Sequence, residues 1–370
     1  MIWKALRYIY FVWLPNSEYC TDEKRYLILN IMMSVGIVSL GSANGNQYTG
    51  KVNEGRMKKS LNRIENYIHE MRYKNIDNIL ITKNGQDVYS KNFNKEFDGK
   101  KHHIASVVKS IISLGTGIAV DRGYVGLDDY ICEYLGESFD NMTAKAHRKI
   151  TIRDLLTLSS GIYWQFGIHA SQPLFSTVEA EEDWRRAILE LPSAYTPGTK
   201  FYYKDADVYL LTQVLQKVTG QSIENFISEN LFKPLGIVCA AVDNDFGIRN
   251  NNMSNISMLT AQEMAKIGNL CLSQGEYRGQ RIISEAYLNM ATAKQIDTNE
   301  FVKYFGMQEY GFLWWIHEDA YFARGFGGNE IAVFPRYGLV VVIQATAKKV
   351  SKAYLDVIYN VILKEESLIS

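Results

Sequence analysis

No excess of either charge sign marks this chain: 40 Lys and Arg stand against 40 Asp and Glu in 370 residues. A nucleic-acid partner, which needs a basic face to neutralise phosphates, is therefore not indicated. Cysteine is scarce as well. Cys20, Cys132, Cys239 and Cys271 form neither a C-x-x-C pair nor a metal-ligand spacing, and they read as buried free thiols. There is no H-E-x-x-H, because His69-Glu70 runs through Met71-Arg72 to Tyr73. There is no G-x-S-x-G elbow; Thr157 to Gly161 matches only its end. Gly45 to Lys51 has the spacing of a phosphate loop, yet Val52 stands where Ser or Thr must follow. With no strand before it and no helix after it, that stretch reads as linker. Internal repeats and low-complexity tracts are also missing, which leaves out solenoids and compositionally biased tails.

What is present is an ordinary globular composition, 47% apolar and 22% charged, in a chain long enough to bury a full core. Residues 1–43 stand apart. Ile2 to Leu14 is apolar but carries Lys4 and Arg7 and is too short to cross a bilayer. Lys24-Arg25 then precede an apolar run, Tyr26 to Leu40, that ends in Gly41-Ser42-Ala43. A basic region, an apolar stretch of this length and a small-x-small end are what an export signal needs. Kept uncleaved, the segment would associate with the membrane, although Asn30, Ser34 and Ser39 make it a mediocre span. Residues 44–56 follow as linker and 57–370 as the folded domain, expected outside the cytoplasm.

Within that domain, Met57 to Tyr73 has helical spacing at Leu61, Ile64, Ile68 and Met71. Asn84-Gly85 between Asn78–Thr82 and Asp87–Ser90 is a strong hairpin signal. Helices are expected after Ser106, over Thr151 to Gly161 with Thr151 as N-cap, and near Glu181–Glu190. Further helices are expected over Val208–Val218, Ile223–Leu231 and Thr260–Ser273. From Tyr310 the period changes to that of strands, at Gly311–Ile316, Ala320–Ala323, Glu330–Phe334 and Leu339–Gln344, before a closing helix near Val350–Leu363. Strands at both ends with helices between them predict an α+β fold: an antiparallel sheet built from both ends of the domain, flanked by helices, with an inserted helical region.

Three clusters carry candidate chemistry. Ser106 and Lys109 open an apolar helix one turn apart on the same face, so their side chains can meet. A serine hydroxyl needs a neighbouring base, and a desolvated lysine can be one. Small residues Gly115, Gly117 and Ala119 follow, where another element can pack closely. Tyr203-Lys204-Asp205 precedes the next candidate helix, and a tyrosine becomes an acid/base group when cations lower its pKa; Lys109 and Lys204 are the cations in reach of that argument. Ala323 to Asn329 is a glycine-rich run between two strands, where backbone N–H groups could hold an oxyanion. His102-His103 reads as loop or sheet edge, and Trp314-Trp315 as core or cleft wall.

The order Ser106-Val107-Val108-Lys109, Tyr203-Lys204-Asp205, Ala323 to Asn329 resembles the three motifs of serine β-lactamase-related hydrolases, a family of class C β-lactamases, D-alanyl-D-alanine carboxypeptidases and esterases. The stretches ITIRDLLTLSSGI, PGTKFYY, VTGQSIENFISENLFKPLGI, YGFLWW and FPRYGLVVV are similar to it too, so the resemblance runs from about Asn78 to Leu363. It implies a β-lactamase/transpeptidase-like fold and an acyl-enzyme mechanism on an ester, amide or peptide bond of a small-molecule or peptide substrate. Ser106 would be the nucleophile, Lys109 its proton partner and Tyr203 the base. The oxyanion hole would join the Ser106 N–H to that of the residue after the third motif: Asn329 if the motif is Phe326-Gly327-Gly328, Phe326 if it is Ala323-Arg324-Gly325. The first register is adopted here, with Asp205, Phe326, Gly327 and Gly328 contacting substrate. No metal or organic cofactor is implied.

Two departures bear on the resemblance. Asp205 stands where the family usually has Asn, and Phe326 (or Ala323) where Lys or His is common. Both are expected to affect substrate recognition and not the nucleophile, with Arg324 or Lys204 as candidate replacements for the lost cation. A decayed peptide- or cell-wall-binding sensor on the same fold is the rival reading. Were Tyr26–Leu40 a cleaved signal, N-terminal sequencing of secreted protein should start near Asn44; full-length chain confined to the soluble cytoplasm would refute export.

Overall fold

The structure, a computed structural model, describes residues 62–68, 75–139, 142–164, 178, 180–239, 255–298, 307–346, 358–359 and 362–364. The N-terminal apolar segment, the linker and most of the expected closing helix lie outside the described residues. Among those described, no helix is long and apolar enough to cross a membrane.

Strands β1 (Ile76–Lys83) and β2 (Gln86–Asn92) form the expected hairpin. Its turn needs two residues in the left-handed region, and Asn84 and Gly85 have φ of 49° and 78°. Two short pairs follow later in the chain: β3 (His102–His103) with β4 (Met258–Leu259), and β5 (Glu276–Tyr277) with β6 (Gln280–Arg281). The remaining strands are β7 (Ile296–Asp297), β8 (Glu309–Tyr310), β9 (Trp315–His317), β10 (Ala320–Gly325), β11 (Asn329–Phe334) and β12 (Leu339–Ala345). One antiparallel sheet runs β2-β1-β12-β11-β10-β9-β8-β7. Strand β12 lies against β1 with Ile79 opposite Ile343 and Ile81 opposite Val341, so strands from the two ends of the domain are neighbours in the sheet. Every residue of β11 and β12 is buried. A run such as Leu339 to Ile343 suits that place because both faces of the sheet are covered.

Between β2 and β7 the chain is mostly helical. Helix α1 (Val107–Asp121) is buried from Val107 to Ala119 and packs on β10. Helix α2 (Ile152–Leu156) opens with a capping box in which Thr151 and Asp154 exchange bonds. Helix α3 (Trp184–Leu189) and helix α4 (Asp205–Thr219) follow, the latter closed by Gly220 at φ 67°. Helix α5 (Ile223–Ile227) continues as a π-turn over Ser228–Phe232. Helix α6 (Ala261–Leu272), capped by Thr260 and Glu263, covers β1, β11 and β12. Helix α7 (Glu285–Ala291) packs against α1. The expected strand at Gly311–Ile316 is shorter than its apolar pattern suggests. Leu313, at φ 60°, breaks it, and the apolar residues there are core-filling loop.

The small residues of α1 are used as close-approach points. A Cβ on Gly117 would lie 2.5 Å from the Tyr287 ring. That ring is buried and its hydroxyl donates to the Ser113 carbonyl at 2.8 Å, so it has little freedom to retreat. Helix propensity favours Ala over Gly by about 1 kcal/mol, but overpacking costs about 1–3 kcal/mol. Gly117→Ala should therefore lower stability by roughly 1 kcal/mol in a denaturant titration, against the propensity trend.

Candidate active site

The turn that leads into Ser106 begins where β3 ends. Ile104 bonds through its N–H to the Ser257 carbonyl at 2.9 Å, and Ala105 adopts φ 49°. Ser106 then occupies the N-cap of α1, and its side chain makes no capping bond. The first helical amides bond locally instead, Val107 to Ile104 at 3.3 Å and Val108 to Ala105 at 3.1 Å. An N-cap serine normally spends its oxygen on those amides; here the hydroxyl faces Lys109, whose Nζ lies 3.1 Å from it. Ser110, one turn along, donates to the Leu313 carbonyl at 2.7 Å and fixes the helix to the sheet side.

Tyr203 comes from the loop before α4, and Asp205 is the first residue of that helix. That loop is held by Tyr202 N–H on the Leu158 carbonyl and Gly198 N–H on the Ser159 carbonyl, each at 2.9 Å. Tyr203 stacks on Trp315, with ring centroids 5.5 Å apart and planes 19° from parallel. Its ring lies 5.2 Å from the Lys109 ammonium. The two adjacent tryptophans thus differ: Trp314 is fully buried, and Trp315 is half-buried under the Tyr203 ring.

Asp205 does more than the sequence suggested. Its Oδ1 accepts a hydrogen bond from Lys109 Nζ, so the departure from Asn reaches the nucleophile's own partner. Burial alone would strip Lys109 of its proton, but the Asp205 carboxylate and Tyr203 more than offset this and hold it above the usual lysine range. Lys204, by contrast, is no neighbour for Tyr203. It is 1% exposed and paired with buried Asp207 at 3.1 Å. Burial lifts the Asp207 carboxyl, opposed by Lys204 and by Ser160, which bonds it through both its hydroxyl at 2.6 Å and its N–H at 3.2 Å. The reason is periodicity: Lys204 and Asp207 lie one helical turn apart, facing inward.

The glycine-rich run closes the β10–β11 hairpin. Gly325 pairs with Asn329, Gly327 and Gly328 have φ of 85° and 96°, and Phe326 is 47% exposed. A Cβ on Gly325 would lie 2.1 Å from the Ile104 carbonyl oxygen, so this glycine is where the sheet touches the turn before Ser106. Asn329 is buried, donating from Nδ2 to the carbonyls of His103 and Phe326 at 3.2 and 3.0 Å. Arg324 pairs with buried Glu330 across the hairpin at 3.2 Å. The structure thus brings Ser106, Lys109, Asp205 and Tyr203 together, with Gly325 abutting the turn. Sequence reasoning missed Trp315 as a partner of Tyr203 and Asp205 as a partner of Lys109. Position in the known spacing could have pointed to the second; nothing local pointed to the first.

A serine at the mouth of a buried helix, docked against an antiparallel sheet and faced by a lysine and a tyrosine, defines the class of protein. The Beta-lactamase family matches residues 77–361, and the chain belongs to that family. It is 23% identical over 271 residues to an uncharacterised protein of Alkalihalophilus pseudofirmus, covering 65% of this chain and 72% of that one. It is 28% identical over 186 residues to a protein of Escherichia coli K12 whose given name proposes a D-alanyl-D-alanine carboxypeptidase. The chain spans 41% of that relative's length, and the match covers 43% of this chain. Among solved structures, the octameric penicillin-binding protein homologue of Pyrococcus abyssi superimposes with TM-score 0.64 at 19% identity, covering 83% of this chain and 79% of that one. The hydrolase EstCE1, described as having promiscuous acyltransferase activity, gives TM-score 0.65 at 16% identity, covering 86% and 100%. These likenesses show the β-lactamase/transpeptidase fold.

Replacing Asp205 with Asn removes the carboxylate that keeps Lys109 charged. Burial then acts on Lys109 against Tyr203 alone, so the lysine gives up its proton at lower pH and a base becomes available there. In Asp205→Asn the acid limb of the rate of Ser106 labelling by a fluorophosphonate should therefore move to lower pH. An unmoved limb would show that the pair does not govern activation.

Proposed function

We propose that this protein is a serine hydrolase that forms an acyl-enzyme at Ser106 on neutral or amine-bearing acyl substrates. The observation that carries the reading is the Ser106 hydroxyl, excused from helix capping and 3.1 Å from Lys109 Nζ. A lysine held as ammonium donates to the hydroxyl and cannot take its proton, so that role falls to Tyr203 acting as phenolate, whose negative charge the Lys109 ammonium, 5.2 Å from the ring, stabilises until the proton arrives. The Ser106 oxygen attacks the acyl carbon, its proton passes through Tyr203 to the leaving group, and water activated by Tyr203 releases the acyl group. The contact of Gly325 with Ile104 favours Ala323-Arg324-Gly325 as the third motif, with the N–H of Phe326, not that of Asn329, completing the oxyanion hole.

Substrate class follows from charge balance. Penicillins and D-Ala-D-Ala ends carry a carboxylate. The Lys109, Lys204 and Arg324 cations are matched by Asp205, Asp207 and Glu330. Asp205 remains 41% exposed toward the cleft and accepts but cannot donate. An anionic substrate would meet paired cations and one exposed carboxylate; a neutral ester would meet Trp315, Tyr203 and the exposed Phe326. The N-terminal segment would place this activity outside the cytoplasm. A binding-only sensor is favoured by one feature, the firm protonation of Lys109, and covalent labelling separates the two.

The parent should be labelled by a fluorophosphonate, and Ser106→Ala should lose labelling with stability changed by under about 1 kcal/mol. On a substrate panel, kcat/KM for short neutral esters should exceed that for cephalosporins by at least roughly tenfold, or about 1.4 kcal/mol. Absence of labelling would leave the sensor reading; efficient cephalosporin turnover would overturn the substrate class.

A further inference from the structure

The peptide that leads into the Ser106 turn is held at both ends: the Ile104 N–H bonds the Ser257 carbonyl at 2.9 Å, and at the other end lies the carbonyl oxygen of His103. Two buried side chains converge on it, His102 Nδ1 at 2.9 Å and Asn329 Nδ2 at 3.2 Å. They come from opposite sides of the chain. Asn329 opens β11 and also reaches the carbonyls of Phe326 at 3.0 Å and Ala345 at 3.5 Å. Three surrounding carbonyls need a donor, which settles the orientation of that amide. His102 sits in β3 and is held from behind by Asp77 of β1, with Nε2 3.2 Å from Oδ2. Asp77 is 1% exposed, and its other oxygen accepts from Asn94 at 2.7 Å and Thr346 at 3.5 Å.

The hydrogen-bond chemistry of His102 is constrained on both sides. A carbonyl only accepts, so Nδ1 donates to it, and Nε2 faces the Asp77 carboxyl. The facing groups are few: the Phe97 ring at 4.7 Å, and His103, whose own ring is pushed below the usual histidine range by burial and then by His102. Two residues past the clamped carbonyl, Ala105 has φ 49°, a region alanine seldom enters and keeps only where its surroundings over-determine it. Its flanks are fixed by the His103 carbonyl on one side and by the first turn of α1 on the other.

We infer that Asp77, His102 and Asn329 form a clamp on the His103 carbonyl that holds Ala105 in the left-handed conformation and thereby sets the position of Ser106. These are positioning residues; none of them touches the reacting atoms. The inference rests on reading Ser106 as the nucleophile.

Two substitutions at one site separate the halves of the clamp. In His102→Asn the side-chain amide lies where Nδ1 was and keeps a donor for the carbonyl. In His102→Gln it lies where Nε2 was and keeps only the contact with Asp77. On the full-length protein with a neutral ester, His102→Gln should lower kcat and the fluorophosphonate labelling rate by roughly 10- to 100-fold, as misplacement of a reacting group does, with KM little changed. His102→Asn, the conservative variant, should restore most of that rate. Amide hydrogen exchange over residues 104–108 gives a readout that needs no catalysis. It should quicken in His102→Gln and stay near the parent in His102→Asn. Equal rates and equal exchange in both variants, whether both like the parent or both impaired, would overturn the clamp. If the parent itself fails to label while exchange still separates the variants, the clamp stands and the hydrolase reading falls.

Discussion

The close approach of Gly325 to the Ile104 carbonyl is the constraint on which the rest of this structure depends. A backbone from the sheet and a backbone from the turn before Ser106 meet with no room for a side chain between them. That contact is possible because β10 ends there in a glycine hairpin and because Ala105 accepts a left-handed conformation. Beside it α1 is seated against β10 and the Ser106 side chain makes no capping bond. The cost of strain at Ala105, of the order of 1–2 kcal/mol, is offset by burial of the many apolar side chains of α1 at about 1.5–3 kcal/mol each.

Electrostatics around the cleft follow a second rule, that each buried cation is matched. Lys204 with Asp207 is 1% and 0% exposed, and Arg324 meets a Glu330 that is 1% exposed. Charges so deeply desolvated persist only when paired and hydrogen-bonded. Lys109 obeys the same rule through Asp205, but that carboxylate is partly open to solvent. The pair therefore joins a structural necessity to the lysine that faces the Ser106 hydroxyl. A neutral amide at the same position would leave burial to decide the state of Lys109; the carboxylate decides it otherwise.

Much of this was legible along the chain. The Asn84-Gly85 hairpin, the capped helices at Thr151 and Thr260, the buried runs of β1 and β12 and the helical insertion all follow from periods of two and 3.6 and from local turn and cap chemistry. So does the pairing of Ser106 with Lys109, because residues three apart on a helix are neighbours by geometry alone. The strand at Gly311–Ile316 was overcalled because apolar residues in a buried loop carry the same pattern as those in a strand.

What only the tertiary structure decided are the contacts between segments far apart in sequence. Asp205 against Lys109 joins residues 96 apart, Asn329 against the His103 carbonyl 226 apart, and Asp77 against His102 a strand and a hairpin apart. The contact of Gly325 with the Ile104 carbonyl belongs with them, because nothing local in the glycine-rich run says which of its glycines meets the turn before Ser106. Sequence by itself determined which segments become helix or strand and which two side chains share the opening turn of α1, since those depend on neighbours along the chain. Which carboxylate charges the lysine, and which carbonyl anchors the serine, depend on how helices and sheet pack, and no local period encodes that.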